Sequence, residues 1–563
     1  ALKAGEAEAK YVALTGRGEA LPRDPALLYW VSPTELGLQV FPCAVGKSQW
    51  VEYELLVPTR YEQGKDVIDL GGDGLEGTQV NYRVTPARAG DSVTVRDVVA
   101  GSGAALEVTL ATEEAKVSLQ SQGAAPLSAR FASLGLHSGR SLDWAELRAA
   151  ARISEVPKNA WVVVIADTSV SMGDGILNVE APAVEAYLSH VPDAHVAVVA
   201  FDRVARDVTQ GWATPSDAEV AMRRWPSVSR NGSQVDGALG RARELLRAAP
   251  AGAAKRVLVL TDAHTRRALT QEVLDRALRD TQAVVHVAEV SAGAPALSED
   301  DAHPWLNGVR ATGGLTWSAA VETNDAATRS VFEEWARPRY YTLEQVSVNA
   351  VPLGFLPDPG RLEEGTAWSG SGLRDGKAGR LSVRARLWGR AVTLDVASQP
   401  EEAKVRAALA SAFSEDALSP EEVQELAWKG GAVSPYTSYL AVEPGVRPST
   451  AGIERDLSLS GVGMGFGGGR GVGVSLGAGK ASSFDPRAWL TEEVRKVRHR
   501  CGADGVAVTA TIETDRQEVL DLPVLQVATQ DAKIQGCFLE ALWELALPSG
   551  FTRDYSGVYV IAL

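Results

Sequence analysis

The segment WVVVIADTSVSMGDG, Trp161 to Gly175, limits what this chain can fold into more than any other stretch. Trp161 to Ala166 is an unbroken apolar run rich in β-branched residues, the pattern of a strand buried on both faces of a parallel sheet. The run stops at Asp167, and Ser169 and Ser171 follow at intervals of two. Three more apolar runs, HVAVVAFD, KRVLVLTD and AVVHVAEV, alternate with the helical segments VEAPAVEAYLSHV, VDGALGRARELLRAA and LTQEVLDRALRD. Over residues 156–337 this alternation predicts a doubly wound α/β domain with helices on both faces of a parallel sheet. Ligands of such sheets bind in the crevice beyond the carboxyl ends of the strands, where Asp167, Ser169 and Ser171 are expected.

The chain has 563 residues, too many for one core, so several modules are expected. Residues 1–155 alternate apolar and polar positions in short runs such as LGLQVFPC and DSVTVRDVVA between turn residues, which predicts an antiparallel β module. Within it, LDWAELRAAARI fits neither helical nor strand spacing and stays open as helix or strand. Residues 338–400 return to β patterning, 401–445 read as helical, and 446–483 form a glycine-rich linker. Gly463, Gly465 and Gly468 match a dinucleotide fingerprint by spacing only, with no strand before them and no helix directly after. Residues 484–563 read as a small α+β module.

The net charge of −15 comes without any Lys or Arg cluster able to track a phosphate backbone, so nucleic acid is not an expected partner. No apolar run approaches the roughly 20 residues of a membrane helix. Three cysteines, Cys43, Cys501 and Cys537, allow one bridge at most and are too scattered for a zinc site. Cys43, in VFPCAV, reads as a small buried hydrophobe. The chain as given carries no leader and is expected to be a mature or trimmed form of an exported protein.

Two later stretches bear on the crevice. SRNGSQVDGAL places Ser233 at the opening of a helix, and KRVLVLTDA ends, like the Trp161 run, in an aspartate, Asp262. Two carboxylates and three hydroxyls form a hard oxygen set suited to Mg²⁺ or Ca²⁺. Asp and Ser after a strand also cap helices, but capping accounts for neither Ser233 nor Asp262. His264 has no nucleophile-elbow context and reads as a rim residue. His195 and His286 read as satisfied structural histidines, and His303 as a loop or core packer.

The ordered set Asp167, Ser169, Ser171, Ser233 and Asp262 resembles the metal-ion-dependent adhesion site of von Willebrand factor type A domains, with serine at 233 where that family usually has threonine. The resemblance implies a bound Mg²⁺, with Ca²⁺ or Mn²⁺ as alternatives, that captures an acidic residue of a protein partner. GEAEAKYVALTGRGEALPRDPALL with LGLQVFPC is similar to part of a vault protein inter-alpha-trypsin domain whose start is incomplete here. GGAVSPYTSYLAVE resembles the segment that follows the type A domain in bacterial proteins of that kind. The tail VRKVRHRCGADGVAVTATIETDRQEV is similar to a C-terminal domain of gliding-motility-associated and TonB-like envelope proteins. That resemblance implies a Cys501–Cys537 disulfide and a periplasmic or cell-surface location. The expected function is metal-dependent adhesion in a bacterial envelope and not catalysis. The alternative is a structural, force-transmitting adapter in an envelope complex, acting through its C-terminal domain with the metal site accessory.

Overall fold

The computed structural model describes residues 2–3, 26–32, 35–40, 45–48, 50–70, 79–96, 98–110, 115–121, 125–226, 228–291, 297–320, 326–353, 360–412, 417–441, 484–549, 551 and 556–563. Cys43, most of the segment likened to a vault protein inter-alpha-trypsin domain, and the glycine-rich stretch 446–483 lie outside the described residues. The chain divides into two compact units, one of residues 1–153, 340–386 and 391–473, the other of 154–339, 387–390 and 474–563.

The first unit is built from antiparallel β sheets and two helices, Pro400–Ala412 and Pro420–Gly430. The segment LDWAELRAAARI is a strand, Arg140–Ala149, paired on both sides, with Leu127–Gly135 and with Ala367–Asp375. Its period is obscured because polar residues are buried in ion pairs: Asp143 with Arg374 at 2.8 Å and Arg148 with both Glu146 and Asp66 at 2.8 Å. The stretch read as helical, 401–445, ends in a strand, Thr437–Ala441, which pairs with Ala26–Ser32.

The second unit holds a seven-stranded sheet. Its elements in chain order are β1 (Trp161–Asp167), α1 (Ile176–Leu188), β2 (His195–Phe201), β3 (Ala205–Asp207), α2 (Pro215–Arg224), α3 (Val235–Leu246), β4 (Lys255–Leu260), α4 (Gln271–Asp280), β5 (Val284–Ser291), β6 (Leu297–Glu299), α5 (Leu306–Ala311) and β7 (Thr316–Ala320), followed by α6 (Ala326–Val331) and α7 (Glu333–Ala336). The sheet order is β3-β2-β1-β4-β5-β7-β6. The five central strands are parallel, as expected, but β3 and β6 are antiparallel edges of three residues each, so the sheet is mixed.

The apolar run of β1 follows from its place in this sheet. Val163 and Ile165 face a core shared with α3, α4 and α5, through Leu239, Leu274 and Val309. Val162, Val164 and Ala166 point to the other face and are equally inaccessible, at 0% exposure. A strand covered on both faces has no polar positions to offer until it ends. His286, on β5, is buried and neutral: burial pushes its ring down to about 3, and its Nδ1 accepts the Leu315 N–H and the Trp317 indole N–H at 3.2 Å. His195 departs from its expected role, being exposed at the start of β2 with its ring 4.7 Å from that of Trp161. His303 is buried and its Nδ1 accepts the Trp305 N–H at 3.1 Å.

The last residues of this unit form α8 (Pro486–Arg500), β8 (Val508–Thr514), β9 (Val519–Val527), α9 (Ala532–Trp543) and β10 (Gly557–Ala562), with the antiparallel order β9-β8-β10. Asp485 caps α8 by accepting the N–H groups of Arg487 and Ala488, and Leu490, Val494, Ile512, Phe538 and Ile561 fill the core between helices and sheet. Cys501, just past α8, is bonded to Cys537 in α9 with Cα atoms 5.8 Å apart at a sequence separation of 36. No helix among the described residues is long and apolar enough to cross a membrane. Replacing both cysteines by serine should lower the unfolding free energy of this part by about 3–4 kcal/mol on loop-closure grounds, measured by denaturant unfolding against the oxidised parent.

Candidate metal centre

Asp167 ends β1, opposite Phe201 of β2, and is fully buried. Its Oδ1 accepts the Ser169 N–H at 3.0 Å, which turns the chain back as an Asx turn does, and its Oδ2 accepts the Thr261 hydroxyl at 2.7 Å. Val170–Met172 form one 3-10 turn, closed by Gly173 and followed by Gly175, both at φ 84°. The turn places the Ser169 and Ser171 hydroxyl oxygens 3.0 Å apart.

A second loop lies alongside. Arg230 bridges Ser169 in parallel, and its N–H donates to the Thr168 carbonyl at 3.2 Å. Asp174 Oδ1 accepts both the N–H and the hydroxyl of Ser229, at 2.9 and 2.7 Å. Gly232 then takes φ 104°, and a Cβ there would meet Arg203 Cβ at 2.7 Å and its Cα at 3.0 Å. Ser233 follows, 1% exposed, and its hydroxyl has no hydrogen-bond partner among the described residues. The third contributor, Asp262, follows β4. It accepts the His264 N–H at 3.0 Å across Ala263, which is left-handed at φ 61°.

Loop position alone does not make a ligand. Asp202 ends β2 in the same way and is equally buried, but Arg206 neutralises it and the Val204 N–H occupies its Oδ1. Asp167 has no ion pair among the described residues. Burial, then the charge of Asp262, raises it to about 7 in spite of the hydrogen bonds from Thr261 and Ser169. Behind it Glu180 of α1 is also fully buried without a hydrogen-bond partner, and burial holds it well above the usual carboxylate range.

Asp167, Ser169, Ser171, Ser233 and Asp262 fit a hard divalent cation. Octahedral Mg²⁺ at about 2.0–2.1 Å from its ligands sets neighbouring ligand oxygens about 2.9 Å apart, close to the Ser169–Ser171 separation. The unpartnered Ser233 hydroxyl is a buried lone pair that needs a Lewis acid or a donor. An ion of charge +2 would reverse the repulsion that raises Asp167. Among the described residues no three His, Cys, Asp or Glu side chains form a cage by themselves, so hydroxyls have to contribute.

Residues 162–264 match the family model of the von Willebrand factor type A domain. That segment is similar to a type A domain. Similar solved structures include a von Willebrand factor type A protein from Catenulispora acidiphila, 16% identical over 55% of this chain and 88% of its own, with a TM-score of 0.30. The conserved hypothetical protein BatB from Bacteroides thetaiotaomicron is 14% identical over 31% of this chain and 96% of its own, at a TM-score of 0.25. Proximal thread matrix protein 1 from the mussel byssus, with a zinc-occupied adhesion-site motif, is 16% identical over 32% of this chain and 46% of its own, at a TM-score of 0.26. These likenesses carry no argument about what the present chain binds. No curated protein matches the chain.

The candidate site is covered mostly by residues that sequence reasoning did not single out. Glu518, in the four-residue connection between β8 and β9, is fully buried; its Oε2 accepts the Val170 N–H at 2.9 Å and its Oε1 the Ser171 hydroxyl at 3.2 Å. Burial first, then the charges of Asp167 and Asp262, push Glu518 up to about 8. Asn231, two residues before Ser233, donates to the carbonyls of Trp543 and Leu545 at 2.6 and 2.8 Å and accepts the Val519 N–H at 3.0 Å. His264 is a rim residue, as expected, with Nδ1 2.9 Å from Asp515; that neighbour, with Asp262 and Glu518, raises it to about 9 against the opposing effect of burial. The Arg267 N–H donates to Glu513 at 2.7 Å, and Arg203 pairs with Glu540 at 2.6 Å while lying over the Trp543 ring. The one available signal was four acids within nine residues, Glu513 to Asp521, on a hairpin.

Gly232 and Gly173 provide a test of how the loops are held. Gly232→Ala should cost about 3 kcal/mol, combining backbone strain with the Arg203 contact, whereas Gly173→Ala, with open space around its Cβ, should cost about 1–2 kcal/mol. Equal losses in thermal unfolding would contradict the packing described.

Proposed function

We propose that this chain is a metal-dependent protein-binding molecule in which Asp167, Ser169, Ser171, Ser233 and Asp262 hold one divalent cation, Mg²⁺ first, with Ca²⁺ or Mn²⁺ as alternatives. The observation that carries the reading is a fully buried carboxylate at a strand end, unpaired among the described residues, raised by a second aspartate and accompanied by a buried serine hydroxyl without a partner. The ion supplies an electrophilic position that accepts a carboxylate oxygen. The protein's part is orientation: Thr261 fixes one oxygen of Asp167, the 3-10 turn spaces the two serines, and Gly232 lets the Ser233 loop approach Arg203.

Binding, not catalysis, is the reading these residues favour, because they present hard oxygens and no activated nucleophile–base pair. A partner with an acidic side chain is the matching chemistry. The Cys501–Cys537 bridge supports an oxidising compartment, the periplasm or the cell surface, as the place of action.

Isothermal titration of Mg²⁺ into EDTA-stripped protein should give one site, and Asp167→Ala should abolish it while the circular dichroism spectrum stays that of the parent. Binding that survives Asp167→Ala unchanged would overturn the assignment.

A further inference from the structure

We propose that the acidic ligand of the metal centre is supplied by this same chain: the Glu518 carboxylate completes the coordination set, and residues 484–563 sit on the type A domain as an intramolecular ligand. The proposal rests on the metal-site reading above.

Glu518 is placed where such a ligand belongs. Its Oε1 lies 3.2 Å from the Ser171 hydroxyl, close to the edge of an octahedron whose ligands stand about 2.0–2.1 Å from the ion. Its other oxygen is fixed by the Val170 N–H at 2.9 Å, so the carboxylate is oriented from one side and free to bind from the other. No ion pair neutralises it among the described residues. Its neighbours on the hairpin differ: Asp515 has His264, Glu513 has the Arg267 N–H and guanidinium, and Asp521 lies 3.9 Å from Arg266. Glu518 alone is buried against Asp167 and Asp262, two further negative charges. A buried carboxylate facing two others is costly without a cation, and a divalent ion held by the serine hydroxyls and reached by the carboxylates directly or through water offsets that repulsion.

The surroundings are built for the same docking. Arg203, His264 and Arg267 of the type A domain face Glu540, Asp515 and Glu513, giving opposite charges around the rim. Asn231 uses both ends of its amide across the contact and is 5% exposed. An outside carboxylate therefore reaches the ion only by displacing Glu518, whose tethering gives it a high effective concentration.

Mn²⁺ is the probe. The parent, Glu518→Ala, Glu518→Gln and Asp167→Ala are stripped with EDTA and titrated with Mn²⁺ by calorimetry, and water-proton relaxation is read on the bound ion. The parent should bind one Mn²⁺. Glu518→Ala should bind it about tenfold more weakly or worse, with raised relaxation because water replaces the carboxylate in the inner shell. Glu518→Gln keeps the shape and can still accept the Val170 N–H while its NH2 donates to the Ser171 hydroxyl, but it lacks the charge and should also lose affinity; it guards against a loosened hairpin as the cause. Parent affinity and parent relaxation in both Glu518 variants would overturn the proposal and leave the metal site standing. A parent that binds no Mn²⁺, or binding untouched by Asp167→Ala, would overturn the metal site and the proposal together.

Discussion

A carboxylate cannot be placed at the end of a strand buried on both faces without something to hold it, and Asp167 is that carboxylate. The strand must be apolar to occupy the middle of the sheet, so its first polar side chain emerges where the sheet ends and the loops begin. Every loop around it is shaped by this demand. The Ser169 turn folds back to satisfy one oxygen, Thr261 reaches from the neighbouring strand end to the other, and the Ser233 loop is tied alongside through Asp174 and Arg230. What remains is negative charge and an unshared serine oxygen, which is the chemistry of a cation site.

The contact between the type A domain and the last eighty residues divides into two kinds of interaction. The charged pairs at the rim, such as Arg203 with Glu540, are partly solvated, and pairs of that kind contribute about 0–1 kcal/mol each. They set orientation more than strength. The buried groups are different: Asn231 and Glu518 are removed from water, and an unmade hydrogen bond at either would cost about 1–3 kcal/mol. Specificity of the contact therefore rests on Asn231 and Glu518, with the rim setting the approach.

Much of the sheet could be read from the chain because β1, β2, β4 and β5 carry long apolar runs. The antiparallel edges Ala205–Asp207 and Leu297–Glu299 could not, since three residues establish no period. The strand Arg140–Ala149 hid behind buried ion pairs that imitate a polar face. Asp167 and Asp262 could be singled out because strand ends are visible, and Ser233 because it opens a helix, whereas Asp202 shows that an aspartate just past a strand can simply be neutralised by an arginine four residues on. The Cys501–Cys537 bridge was implied by resemblance and is present. Glu518 was illegible: it sits in DRQE, which reads as an ordinary solvated hairpin turn, and its contact with Ser171 spans 347 residues of sequence.

The spacing of Asn231 and Ser233 gives the loop between them a mechanical character. Residues 484–563 hold the Asn231 amide through the Trp543 and Leu545 carbonyls, two residues before the buried Ser233 hydroxyl. Gly232, between them, takes φ 104° at a position where an added Cβ would meet Arg203. Any shift of residues 484–563 against Asn231 is therefore felt two residues away, at the buried Ser233 hydroxyl.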